Sequence, residues 1–335
     1  MIHLFNPEND LALANNLENF TLSKGAVAIK SAGAFLPMFW AEKDDLILAQ
    51  SGIDSAMSYY QNRYNLNGTA SSTVVAGHEI APWGWSRYTR LELINAGADI
   101  SSLPDDIILE KQRQLSHRRT AISINRALGV DDDLLPIEAS STEQAMERIS
   151  QLDEAVIKLP WSSSGRGVIY SSQLAPNNIP AYVSGMIARQ GSVTIERKLN
   201  RLQDFASLFF SDGKCVYFKG YSVFSTNRIG FYEGNIVEPQ SLLKKRIGID
   251  LSDTTTLLEK TLTKLVAPYY KGWLGIDMII HRNSDGSTGL APCVEMNLRM
   301  TMGVAAMLAA EKVYSIEKSP MLLKVIPTGV KLERM

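Results

Sequence analysis

The sequence is poor in the residues that build metal and redox centres. Its two cysteines, Cys215 and Cys293, sit inside apolar, strand-like runs with no C-x-x-C or other metal-ligand spacing, so two reduced, buried core residues are expected. The four histidines, His3, His78, His117 and His281, are scattered with no i, i+4 pair, which argues against a zinc hydrolase. An excess of one charge is also missing: 34 lysines and arginines stand against 35 aspartates and glutamates. No global field therefore draws the chain to nucleic acid or an anionic membrane, and any anion site must be local. The longest apolar run, Met302 to Ala310, is too short to span a bilayer, and the start has no basic segment followed by an apolar stretch, so a soluble, cytoplasmic protein is expected. There is no G-x4-G-K-[ST], and no G-x-G-x-x-G follows the first strands, which weakens the P-loop and dinucleotide-binding readings. No heptad pattern chooses between monomer and homodimer.

What remains is an ordinary globular composition, 45% hydrophobic and 21% charged over 335 residues, enough for two or three subdomains. The first hundred residues alternate apolar runs (2 to 5, 26 to 29, 46 to 49, 73 to 76) with stretches of helical length (33 to 42, 53 to 64, 85 to 96), an α/β pattern with a small, open parallel sheet. A polar helix over about 110 to 128, stopped at Gly129, follows at the boundary. From Ala155 onward strands joined by turns dominate, so the later part reads as α+β with antiparallel pairing. The division expected is 1–109, 110–192 and 193–335.

Two hairpins set registers that matter for chemistry. A two-residue turn at Asp212-Gly213 puts Asp204 opposite Tyr221 and Lys219 opposite Ala206, with Asp204 and Lys219 on one face. A loop centred on Gly286 puts Asp277 opposite Glu295.

The segment from Lys158 to Val168, KLPWSSSGRGV, has six Pro, Ser or Gly residues among the ten after Lys158. Such a loop can turn backbone N–H groups toward an anion, with Lys158 adding a point charge. A flexible, serine-rich hairpin is the alternative. In Glu295-Met-Asn-Leu-Arg299, alternation puts Glu295, Asn297 and Arg299 on one face. Asp277 joins them across the ladder, giving two carboxylates and an amide oxygen that suit magnesium holding substrate phosphates, against the alternative of a solvated polar face. At the carboxyl end of the first strand, Asn6-Pro-Glu-Asn-Asp10 is open to two readings, a ligand-binding strand end or a helix cap supplied by Asn9 or Asp10. Trp83 and Trp85, in Ala81 to Ser86, read as core packing under a loop or as a pocket wall.

Order and spacing over about 190 residues resemble the ATP-grasp superfamily of ATP-dependent carboxylate-amine ligases: Lys158 before SSSGRGV, the acidic hinge strand TIERKL, then Asp277 and E-x-N-x-R at 295 to 299. The resemblance implies an amino-terminal α/β domain and two subdomains clamping ATP. In it, Lys158 contacts the α- and β-phosphates and Ser163, Ser164, Gly165, Arg166 and Gly167 lie in the phosphate lid. Glu196 and the backbone from Arg197 to Leu199 meet adenine, Asp204 holds the ribose hydroxyls, and Lys219 reaches the triphosphate. Asp277, Glu295 and Asn297 hold magnesium, usually two ions, while Lys158, Arg166 and Arg299 serve the chemistry, Arg299 steadying an acyl phosphate. Two positions depart from the pattern. Arg118 stands where a second phosphate lysine is common, open to being a phosphate ligand or a surface helix residue. Trp161 lies inside the lid, packing on the acceptor or anchoring the loop. The implied activity is an ADP-forming ligation of a small-molecule carboxylate and an amine, an amino acid or peptide among the candidates. Alternatives are a kinase acting on a hydroxyl and a nucleotide-binding module without turnover.

Overall fold

The computed structural model describes residues 1–49, 53–162, 165, 167–226 and 232–335. The chain opens with β1 (Ile2–Leu4), α1 (Asn9–Asn15), α2 (Lys24–Gly33), β2 (Leu46–Leu48), α3 (Asp54–Tyr64), β3 (Thr69–Ser71), β4 (Ile80–Pro82) and α4 (Arg87–Asn95). The four strands form a small parallel sheet in the order β3-β2-β1-β4, as the alternation in the sequence suggests. Two of its expected strands are not strands. Residues 26 to 29 lie in α2, because the Ser23 hydroxyl caps the Ala26 N–H at 3.2 Å and starts a helix through the apolar run. Residues 73 to 76 follow β3 rather than form it, since the Val74 N–H bonds Ala96 O at 2.8 Å, at the end of α4. The helix expected over 33 to 42 shrinks to a 3-10 turn at Leu36–Phe39, with proline in its first turn.

The single helix expected over 110 to 128 is two, α5 (Asp106–Leu115) and α6 (Thr120–Ala127). Between them the Arg118 N–H turns away to bond Pro160 O at 3.2 Å. Gly129 takes φ +75° beyond α6, the stop signal working as its chemistry requires. The next unit comprises β5 (Ile137–Ala139), α7 (Thr142–Ser150), β6 (Ala155–Lys158), β7 (Val168–Tyr170), α8 (Ile179–Gln190) and β8 (Val193–Arg197). Its antiparallel sheet runs β5-β8-β6-β7 and carries a separate core around Ile157, Val183, Met186 and Ile195. A cut after residue 192 would sever β8 from both its partners.

The rest is β9 (Asn200–Asp212), β10 (Val216–Thr226), β11 (Tyr232–Val237), α9 (Gln240–Ile247), α10 (Ser252–Leu265), β12 (Lys271–Arg282), β13 (Thr288–Asn297), α11 (Met302–Glu317), β14 (Met321–Ile326) and β15 (Gly329–Arg334). These strands make a seven-stranded sheet, β13-β12-β9-β10-β11-β14-β15. One face packs Phe205, Phe209, Leu274 and Ile276 with α6, α9 and α10. The other packs Ala206 and Leu208 with Val304 and Ala305 of α11 and with Phe5, Phe35 and Leu36 of the first domain, so the first and last parts of the chain share one core.

The β9–β10 register differs from the expectation. The Asp212 carboxylate takes the N–H groups of Lys214 and Cys215 at 2.8 and 2.7 Å, which makes the turn four residues long and leaves Cys215 exposed rather than buried. Phe218 then faces Phe209, and a bulge at Lys219 sets Tyr221 opposite Ser207 and Ser222 opposite Ala206. Asp204 does not face Tyr221, nor Lys219 Ala206. In the second hairpin Asp277 does face Glu295, by an unforeseen route: near the turn Ile279 pairs with Ala291, and a bulge re-phases the ladder before Asp277.

Gly33, at the end of α2, has no room for a side chain: a Cβ would lie 2.4 Å from Phe5 Cε1 and 2.9 Å from Val325 Cγ1, while one on Gly25 would meet nothing within 4 Å. In urea unfolding, Gly33→Ala should lose roughly 1–3 kcal/mol from overpacking of the shared core, and Gly25→Ala should cost nothing or stabilise.

Candidate functional site

β6 ends at Lys158, and its pairing with β8 sets Lys158 opposite Thr194 and Val156 opposite Glu196. Residues two apart share a face, so Lys158 and Glu196 project together and form an ion pair. Lys158 is only 4% exposed; a cation so placed needs such a partner or a ligand. Beyond it, Gly165 and Gly167 take φ +73° and +69°, values that a Cβ penalises. Ser163, Ser164 and Arg166 lie outside the described residues. Trp161 is buried and anchors the loop: its indole N–H donates to Arg113 O at 3.0 Å, and the Arg113 guanidinium lies 3.8 Å from its ring centroid.

Arg118 is no surface residue; it is 8% exposed and joins the two sheets. Its Nε donates to Leu159 O at 2.9 Å, Nη2 to Ser162 Oγ at 3.1 Å, and Nη1 to Glu295 Oε2 at 2.8 Å. The fork is spent on the backbone and side chain of the loop that follows Lys158 and on one carboxylate, leaving no bidentate edge for a phosphate in this arrangement.

Across the β12–β13 ladder, Asp277 and Glu295 stand directly opposite, their Cβ atoms about 5 Å apart by the geometry of such pairs. Burial, and then the Glu295 charge, push the Asp277 carboxyl up to about 7, against the Asn297 hydrogen bond and the Arg299 and Arg118 charges. Asn297 Nδ2 donates to Asp277 Oδ2 at 3.1 Å, and its Oδ1 accepts from Arg299 Nη2 at 2.9 Å. Arg299 is clamped by Asp10 of α1, Nε and Nη2 reaching its carboxylate at 2.7 to 3.1 Å. Asp10 is thus not a helix cap, and neither is Asn9; Glu8 occupies the cap position with no side-chain cap bond.

Among the described residues no group of three or more His, Cys, Asp or Glu is placed to hold a metal. Two carboxylates form the donor set as it stands; the Asn297 amide turns its N–H to Asp277 and its oxygen to Arg299, so it would have to turn over to add that oxygen to a magnesium that keeps waters and substrate oxygens. Burial first, and then the Glu295 charge, raise Asp277, and a divalent cation between the two carboxylates would offset both by favouring the charged form. Lys158, Asp277 and Glu295 all act on one buried group between the sheets: the Cys293 thiol is pushed up by burial, then by Asp277 and Glu295, against the pull of Lys158.

Asp204 lies opposite Ile279 on the sheet face that carries Asp277, and burial raises its carboxyl against the Arg201 charge. Arg197 and Leu199 line a cavity of about 500 Å³ with Glu154 and Tyr170. Lys219 is not brought to the cluster: it is exposed in the bulge, its ammonium 5.4 Å over the Tyr217 ring. The glycine that follows, Gly220 at φ +155°, is the signal in the sequence that marks such a bulge. Asp10 as the partner of Arg299, and Ser162 as that of Arg118, were missed. Ser192, His117 and Glu138 also meet, but His117 Nδ1 accepts the Arg119 N–H at 3.0 Å, so Nε2 carries the proton and cannot take one from Ser192.

Compared by sequence, the chain matches no family model and no curated protein. Its structure is similar to solved ones. Against phosphoribosylamine–glycine ligase of Thermotoga maritima, the TM-score is 0.54 at 14% identity, over 96% of this chain and 79% of that one. Against a biotin carboxylase of Campylobacter jejuni in complex with β,γ-ATP, it is 0.51 at 13% identity, over 99% and 73%. Against the biotin carboxylase domain of Hydrogenobacter thermophilus 2-oxoglutarate carboxylase, bound to MgADP and bicarbonate, it is 0.50 at 13% identity, over 92% and 69%. At these identities the likeness is one of fold, and the fold these proteins share with the present chain is the ATP-grasp fold.

Proposed function

We propose that the chain is an ADP-forming ligase that activates a small-molecule carboxylate as an acyl phosphate and transfers the acyl group to an amine. The observation that carries this reading is the meeting of Lys158 and Glu196 from one sheet with Asp277, Glu295 and Asn297 from the other, bridged by Arg118. A carboxylate oxygen would attack the γ-phosphorus, and ADP would leave. The amine nitrogen would then attack the acyl carbon, inorganic phosphate would leave, and the nitrogen would release one proton. None of these steps needs a protein nucleophile; the side chains place groups and neutralise charge.

Lys158 would exchange Glu196 for phosphate oxygens as the nucleotide enters, freeing the Glu196 carboxylate and the Arg197–Leu199 backbone to meet the base. Asp204, on the face of Asp277, would accept the ribose hydroxyls. Asp277, Glu295 and Asn297 would hold magnesium, which would supply positive charge against the phosphates; two ions is the number the family resemblance implies. Arg118 would fix the loop root against Glu295, and Arg299 would hold Asn297 in place with one Nη1 N–H left for the reacting carboxylate.

An ADP-release screen of carboxylates crossed with amines and amino acids tests the reading directly. ADP and phosphate should appear only when an acid and an amine are both present. ADP with a stable phosphorylated hydroxyl compound would instead make the chain a kinase. Lys158→Ala and Glu295→Gln should fold and lose turnover by about 100-fold or more, the scale seen when one electrostatic contact is removed; wild-type rates from both would overturn the assignment.

Arg118→Lys separates bridge from phosphate ligand. Lysine keeps the charge but cannot reach Leu159, Ser162 and Glu295 together. Titrated with MgADP, the lysine variant should bind about 10-fold or more weaker and demand more magnesium, and wild-type affinity would identify Arg118 as a simple phosphate cation.

A further inference from the structure

A cavity of about 470 Å³ opens at the start of β12, where the first domain meets the seven-stranded sheet. Small-molecule sites occupy roughly 300–1,000 Å³. Its walls come from three stretches of chain: Trp85 and Ser101 of the first domain, Ile108 and Gln112 of α5, and Tyr269 and Lys271 where α10 leads into β12. Asp277 lies roughly 20 Å further along β12 at strand spacing, so the cavity is separate from the carboxylate-amide cluster.

Charge on the wall is paired off, since Glu79 and Lys271 neutralise each other at 2.6 Å. Tyr270 spends its hydroxyl on Trp273 O at 2.7 Å. Two polar groups are left over. Gln112 is 5% exposed, and its Nε2 donates to Tyr269 O at 2.8 Å. That carbonyl can only accept, so it fixes the orientation of the amide and leaves Oε1 as a buried acceptor with no partner among the described residues. His78 Nδ1, on the same wall, is also buried with no partner among them, a donor or an acceptor according to its tautomer. Buried polar atoms without partners are costly, and an amide, with its N–H and its carbonyl, can serve both kinds. A charged ligand would lose its hydration with no unpaired countercharge to receive it. The Trp85 indole and the Tyr269 ring supply flat apolar surface for a planar molecule.

α5 connects this cavity to the phosphate loop. Just past Gln112, Arg113 O accepts the Trp161 indole N–H at 3.0 Å, and in the turn after α5 Arg118 holds Leu159, Ser162 and Glu295. We propose that the cavity is a second, regulatory site for an uncharged planar amide, a carboxamide or lactam, whose N–H satisfies Gln112 and whose ring packs on Trp85 and Tyr269. A ligand held by Gln112 on one side and Tyr269 on the other pins α5, and with it Trp161 and Arg118, in the arrangement that receives the nucleotide; this coupling rests on the nucleotide-binding reading of the first site. Linkage makes the effect mutual, so amide and MgADP tighten each other's binding by the same factor.

Saturation-transfer NMR on the full chain without nucleotide tests the site, with benzamide, nicotinamide and 2-pyridone as probes. Benzoate, which is charged, and methyl benzoate, which has no N–H, are the controls. At least one amide should receive saturation while both controls do not. Ser101→Trp, which fills the cavity from an exposed position, and Gln112→Met, which keeps the length of the side chain without its acceptor, should each weaken amide binding about 10-fold or more with the unfolding temperature retained. MgADP titrated with the amide present should bind about 5-fold or more tighter than without it. No amide signal, equal signals from the controls, or an amide signal unchanged in the folded variants would overturn the site, and an MgADP affinity indifferent to the amide would overturn its regulatory role. Absence of MgADP binding to the wild-type chain would instead remove the nucleotide reading, and the coupling with it, while the amide signals still decide the site.

Discussion

Asp277 and Glu295 face each other across one antiparallel ladder, so that two carboxyl groups share one part of the sheet face and the charge of one disfavours the charge of the other. The surrounding side chains answer that repulsion. Arg118 reaches from the turn between α5 and α6 to Glu295, Asn297 donates to Asp277, and Arg299 steadies Asn297 while held by Asp10. Arg118, Asp10 and the Asn297–Arg299 segment come from three different stretches of the chain, so the carboxylate pair gathers three parts of the fold around one point of charge. With Arg118 paired to Glu295, burial and then the Glu295 charge still push the Asp277 carboxyl up to about 7.

The lysine on the facing sheet is likewise paired within the protein. Lys158 is buried and takes Glu196 as its partner, and Arg118 bonds the carbonyl of the residue that follows it. Both cations are neutralised by carboxylates to which the resemblance gives other partners, a nucleotide base and a metal. Nucleotide and divalent cation entering together would exchange these ion pairs for new ones, so that no buried charge is left unpaired in either state.

Much of this site could be read from the residues because strand alternation is local. The period of two put Glu295, Asn297 and Arg299 on one face, and Asp277 came to lie opposite Glu295 because a bulge between Asp277 and Ile279 made up for a turn register that differed from the expected one. The same reasoning failed at Asp212-Gly213, where side-chain capping by Asp212 lengthened the turn and a bulge at Lys219 shifted the ladder again. Short apolar runs were ambiguous for a different reason: residues 26 to 29 suit a strand or a buried helix turn, and the Ser23 cap decided for the helix. Bonds between residues far apart were not legible. Arg118 meets Glu295 across 177 positions and Asp10 meets Arg299 across 289, and no spacing rule reaches that far.

Packing decided where the first domain sits. Phe5, Phe35 and Leu36 share a core with Val304 and Ala305 of α11, so the strand ends of the parallel sheet are held against the segment carrying Arg299. The most direct measurement of the central claim is the anomalous diffraction of crystals grown with manganese and ADP. A manganese peak bounded by Asp277, Glu295 and Asn297, with the diphosphate reaching Lys158, is the predicted result. Bound ADP with the ion elsewhere, or manganese at these residues with the nucleotide remote from Lys158, would contradict it.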